Sequence, residues 1–178
     1  MNFILAQLIG IAVTVYAVIA TQFRSIKAVL WMEIITNLLT ALNYILLGSL
    51  SGTWICIVAA VQAVVMNYLN QRYLEEQDKN RVFVLIVFAL IYVVGSVIVF
   101  EKWVDIFPCI CALIYTMSVC QKDILRYKII SILNPSTWII YDVVTRAYTT
   151  VVMRVILIVL TGIAIIRITQ ERRTERRT

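Results

Sequence analysis

NPSTWIIY, residues 134–141, sets an amide, a proline, hydroxyls, an indole and a phenol inside a long apolar run. These groups bind polar solutes rather than break bonds. An amide pairs with a hydroxyl or a carbonyl, and an indole offers an apolar face with one donor. Sliding the chain against itself by 97 residues lays NLLTALNY (37–44) on the same stretch. Asn37 then meets Asn134, Thr40 meets Thr137, and Tyr44 meets Tyr141. Positions i, i+3 and i+7 share a helix face, and Trp138 falls on the same side as Asn134. Asn37, Thr40, Asn134, Thr137, Trp138 and Tyr141 are therefore the candidate solute-binding residues. Each has a plainer reading. The amides can bond across helices, at about 1 kcal/mol or less, and Trp138 can be a packing aromatic. For Tyr44 and Tyr141, near the outer helix ends, an interfacial belt is the favoured reading.

Charges inside apolar segments point to function or to a partner. Arg154 lies about two turns into the last apolar segment, with Asp142 and Asp105 as available carboxylates. A gate closed by ion pairing is one reading; a static pair or snorkelling is the favoured one. Glu33, four residues before Asn37, extends the first stripe and is expected to be solvated. Gln7 and Gln62 are further amides that would line a cavity only secondarily. Pro108 and Pro135 each remove a backbone donor and mark hinge positions. The chain has no histidine, and Cys56, Cys109, Cys111 and Cys120 carry no paired CxxC spacing, so neither a metal site nor a cofactor is expected. No catalytic residue is assigned.

The elements that hold these groups follow from composition. Of 178 residues, 62% are hydrophobic and 15% charged, more apolar surface than a soluble domain of this size can hide. The expectation is an all-α polytopic membrane protein in contact with the lipid bilayer. Seven spans are expected, at 3–20, 28–48, 53–70, 82–100, 104–119, 128–146 and 148–168. With the N-terminus outside, every Lys and Arg falls in cytoplasmic loops or the C-terminal tail except Lys102, Arg146 and Arg154. That bias predicts N-outside, C-inside. The net charge of +6 is then an orientation signal, and no nucleic-acid partner is expected. The tail QERRTERRT reads as a stop signal for the last helix in preference to a lipid-binding arm.

The repeat spans three helices. Residues 1–75 form the first triple-helix bundle, 76–102 a linker helix, 103–170 the second bundle and 171–178 a basic tail. An odd helix between the bundles makes them parallel, a plan known among transporters. The linker, nearly free of polar side chains, suits exposure to lipid.

LAQLIG (5–10), LNYILLGSLSG (42–52), FPCICALIYT (107–116), WIIYD (138–142) and the closing IIR (165–167) resemble the YgjV-type bacterial inner membrane proteins, over most of the chain. That family is similar to the SWEET and SemiSWEET sugar transporters and the PnuC vitamin-precursor transporters. The resemblance implies a 3+1+3 fold with a midplane site between bundles, in the bacterial inner membrane. It also implies a sugar- or nucleoside-like solute, with Trp138 and Asn134 matching the pocket chemistry of the sugar transporters. This chain departs from them in having only Pro108 and Pro135 and in carrying Arg154 in its last span.

The expected function is transport of a small polar solute by alternating access, as facilitated diffusion since no sodium site or proton relay is visible. A non-transporting structural or accessory membrane protein is the alternative. An embedded enzyme ranks last, because hydrolysis or phosphoryl transfer needs a base and usually a metal. Seven spans can enclose a pathway in one chain, so a homo-oligomer is compatible but not required.

Overall fold

The computed structural model describes the backbone of residues 2–72, 77–121 and 123–175, and the side chains of 4–69, 82–121 and 123–174. Arg72, Lys79, Arg81, Lys122, Arg176 and Arg177, which enter the orientation argument, lie outside the described side chains, as does the boundary at 75/76. The described chain is all helical: α1 (Asn2–Gln22), α2 (Ile26–Leu46), α3 (Leu50–Arg72), α4 (Gln77–Ile98), a 3-10 turn (Trp103–Asp105), α5 (Ile106–Val119), α6 (Ile124–Ser131), α7 (Leu133–Val144) and α8 (Tyr148–Glu175). Among the described residues, four segments are long and apolar enough to cross a membrane: Ile4–Gln22, Ile26–Leu46, Leu50–Leu69 and Tyr148–Thr174. Val82–Ile98 and Trp103–Val119 are shorter apolar helices.

The sixth predicted span is two helices meeting at Ile132. Pro135 explains the break, since its ring crowds the carbonyl four residues earlier. Pro108 has another setting. It stands third in α5, as Pro135 does in α7, but α5 follows directly on the 3-10 turn Trp103–Asp105 and not on another α-helix.

Neighbouring helices pack in the order α1, α2, α3, α5, α7, α8 and back to α1, with α4 outside against α3 and α5. Small residues make the close approaches, as lipid offers no hydrophobic drive between helices. On α3, Gly52, Cys56, Ala59, Ala60 and Ala63 are buried. Among the described residues of α4, Phe88, Tyr92, Gly95 and Ser96 are buried, while Phe83, Leu90, Val94 and Val97 face outward.

Element bounds recur. Helix α2 begins at 26 and α6 at 124; α2 ends at 46 and α7 at 144; α3 begins at 50 and α8 at 148. The spacing is 98, one residue more than the identity matches give. The turns obey it too: Ser49 N–H donates to the Tyr44 carbonyl, and Ala147 N–H to that of Asp142. Each turn passes through a left-handed residue, Gly48 (φ 71°) and Arg146 (φ 62°).

Candidate functional site: a cavity on the repeat axis

A cavity of about 120 Å³ lies among α1, α2, α3, α5, α6, α7 and α8. It reaches Thr21 and Ser118, each the second-last residue of its helix, and runs inward to Trp138 and Arg154. We call the first end the mouth, and the opposite end, with residues 47–49 and 145–147, the turn end.

The wall is built from equivalent positions. Residues 98 apart line it together: Ala17 with Tyr115, Val29 with Tyr127, Glu33 with Ser131, Thr36 with Asn134, Asn37 with Pro135, Thr40 with Trp138, and Cys56 with Arg154. The wall therefore draws on positions 98 apart in the two halves of the chain. Among the sequence candidates, Asn37, Thr40, Asn134, Trp138, Arg154 and Pro135 are on the wall, while Thr137, Tyr141, Asp142, Asp105 and Pro108 are not among its lining residues. Asn134 binds its neighbouring helix: Nδ2 donates to the Cys111 carbonyl at 2.9 Å. Asn37 Nδ2 donates to the Glu33 carbonyl at 2.8 Å within its own helix. Thr36 Oγ1, also at the wall, is buried without a protein partner among the described residues.

Three charged groups reach the wall. Arg154 Nε donates to Asp142 Oδ2 at 3.3 Å, with side chains 11% and 0% exposed, and its guanidinium lies 5.3 Å from the Trp138 ring centroid. Arg154 is thus internally paired rather than snorkelling. Lys128, counted above among loop cations, is buried on α6, where its Nζ donates to the Thr21 carbonyl at 2.8 Å. It caps the C-terminal end of α1, where a cation is favoured. Glu33 is not freely solvated either. Its carboxylate accepts Tyr127 OH and Asn37 Nδ2, both at 3.4 Å.

A polar layer closes the turn end. Tyr44 OH donates to Asp142 Oδ1. Tyr44 stacks on Trp138 with centroids 5.6 Å apart, and Tyr141 meets both rings edge-on. Tyr141 OH shares hydrogen bonds with Ser49 and with Ser51, the latter at 2.6 Å, and accepts Gly52 N–H. Tyr44 and Tyr141 are 0% and 1% exposed, so they are core residues and not an interfacial belt. The neighbours of α3 and α8 are joined alike. Ser51 Oγ donates to Asp105 Oδ1 at 2.6 Å, tying α3 to the turn before α5. Thr149 Oγ1 donates to Gln7 Oε1 at 2.7 Å, tying α8 to α1. Gln7 and Asp105, and Ser51 and Thr149, are again 98 apart. Asp105 therefore holds Ser51 and the Glu101 and Lys102 N–H groups, not Arg154. Gln62 lies elsewhere, accepting from Tyr92 and Thr116.

Residues 4–172 match the sequence profile of Imp-YgjV, described as bacterial inner membrane protein. The chain belongs to the Imp-YgjV family. Neither a search of curated proteins nor one of solved structures gave a significant match. The Imp-YgjV assignment places the chain in the bacterial inner membrane and accounts for its outward-facing apolar residues, such as Ile4, Phe83, Val97 and Ile163.

Proposed function

We propose that this Imp-YgjV protein is an alternating-access transporter of a small polar solute. Its helices form two parallel three-helix bundles, 1–75 and 103–170, joined by the linker helix 76–102. The chain crosses the membrane seven times, with the N-terminus outside and the C-terminus in the cytoplasm. One observation carries this reading: the cavity wall pairs residues 98 apart, so the site lies between equivalent faces, as in repeat-built transporters. The helix neighbour order, unchanged when the two halves are exchanged, supports it too. One chain lines the cavity, so a second copy is not required for a pathway.

With the N-terminus outside, the mouth faces the cytoplasm, and the Tyr44–Asp142–Arg154 layer is the closed outer gate. Rocking one bundle against the other would separate Tyr44 on α2 from Asp142 on α7, with the break at Ile132 and Pro135 as the bending point. Alternation needs no bond-breaking chemistry, and none is assigned. The sugar- or nucleoside-like solute implied by the resemblance would stack on Trp138. Tyr44 and the Arg154 guanidinium already cover that ring, so recognition falls to the polar wall below it.

Proteoliposomes holding the full chain, assayed with a panel of labelled polar metabolites, test the proposal. At least one should enter faster than into empty liposomes, and Asn37→Ala with Asn134→Ala should slow it. If none enters across a broad panel, the non-transporting alternative stands.

A further inference from the structure

The charges on the cavity wall are unequally satisfied, and this narrows the solute. Lys128 gives one of its three donors to the end of α1. Arg154 reaches Asp142 through Nε. Among the described residues its two Nη nitrogens donate no hydrogen bond to a carboxylate, so four N–H donors remain at the deep end. Glu33, nearer the mouth, receives only a phenol and an amide, both neutral and both at 3.4 Å. No cation lies within 4.0 Å of it among the described residues. The wall thus carries an anion-seeking group at one end and a cation-seeking group at the other.

We propose, building on the transport reading, that the cavity takes an amphoteric solute, its anionic group on Arg154 and its protonated amine on Glu33. Helix geometry sets the spacing. Glu33 precedes Thr40 by seven residues, about 10 Å along α2, and Thr40 is the counterpart of Trp138, over which Arg154 lies. Both charged side chains line the cavity. A short ω-amino acid suits that separation better than an α-amino acid, whose charges are adjacent. The volume, about 120 Å³, holds on the order of four waters at about 30 Å³ each and thus a small metabolite. Thr36 Oγ1 and the Asn37 amide oxygen supply neutral acceptors beside Glu33. A net-neutral solute also leaves the cavity's charge unchanged when the site moves between membrane faces, avoiding a full charge in low dielectric.

Isothermal titration of the full chain in lipid nanodiscs tests this directly. The probes are 4-aminobutyrate and 6-aminohexanoate, their single-charge analogues butyrate, hexanoate, butylamine and hexylamine, and the neutral solutes ribose and uridine. At least one ω-amino acid should bind about tenfold or more tighter than either analogue of the same length, a difference of about 1.4 kcal/mol. Glu33→Gln should bring that ratio to about one, and Glu33→Asp should restore part of it. Equal binding of a carboxylate or an amine alone overturns the proposal, as does no binding of either ω-amino acid. If ribose or uridine binds instead, the amphoteric assignment fails while the transport reading survives.

Discussion

Asp142 has no contact with solvent, and its two oxygens are taken by Tyr44 and Arg154. Removing one partner of such a pair leaves a bare buried charge. Asp142→Leu is therefore expected to lower stability by about 3–5 kcal/mol, whereas Asp142→Leu with Arg154→Leu should recover most of that loss. Chemical unfolding in nanodiscs measures both. A second residue-scale expectation concerns Arg146, which holds φ 62° without being glycine. Its counterpart Gly48 has the same backbone, and both close helix ends in the manner of a left-handed C-terminal cap. Arg146→Gly should stabilise by up to about 1 kcal/mol, because the left-handed cost to a side chain exceeds glycine's entropic cost. The carbonyl that Gln7 uses is backbone and is kept. Unchanged or lower stability would show that this turn is not strained. The charged residues were the hardest to read from sequence. Lys128 follows Lys122 and Arg126 and so looks like loop charge, yet it turns inward onto α1. Arg154 and Asp142 are twelve apart on different helices, and only the turn at 145–147 brings them together.

At the scale of elements, the mouth is held by a clasp between α6 and α8. Asp123 caps α6 by accepting Arg126 N–H at 3.3 Å and pairs with Arg172 near the end of α8. The Arg172 hydrogen bond, helped by the backbone N–H, holds the Asp123 carboxyl below the ordinary aspartate range. A depressed carboxylate stabilises above its ordinary unfolded value and loses that contribution as pH falls through the folded value. Protease nicking of the α8 end should therefore rise only at acid pH in the wild-type chain. Asp123→Ala should show the nicked state at neutral pH and lose about 1 kcal/mol with the cap. If nicking is the same in both at neutral pH, the clasp contributes nothing. Gly10 tests the opposite end. A Cβ there would run into Thr149 and stand 3.4 Å from Asn43 Nδ2. Gly10→Val should part α1 from α8 and cost about 1–3 kcal/mol, seen as a lower unfolding midpoint. The helices themselves were legible because hydropathy marks lipid contact directly. The split of the sixth span falls beside Pro135, third in α7, and Pro108 holds the same place in α5 after the 3-10 turn.

Across the whole molecule, the spacing read from sequence and the spacing of the elements differ by one residue. Matching by identity favours like residues, which gave a spacing of 97 through Asn37/Asn134 and Tyr44/Tyr141. The element bounds and the cavity wall use 98. Structural counterparts need not be alike: Tyr44 stands at the position equivalent to Asp142 and bonds to it, while Gln7 and Asp105 are equivalent acceptors for the equivalent hydroxyls of Thr149 and Ser51. Two joints built on one plan, Gln7–Thr149 and Asp105–Ser51, flank the Tyr44–Asp142 contact at the centre. Such a layer closes one end of the cavity while the mouth end reaches the last turn of α1 and α5. The central claim is that this one cavity is reached from the two membrane faces in turn. A single cysteine at Asn37, in a chain whose four native cysteines are replaced, reports it through labelling by a membrane-impermeant maleimide. In oriented vesicles the cytoplasmic face should label it readily and the outer face slowly. Tyr44→Phe, which removes one bond of the outer layer, should raise the outer rate several-fold and lower the cytoplasmic rate. Labelling from the cytoplasmic face alone, at rates unmoved by Tyr44→Phe, would contradict the account.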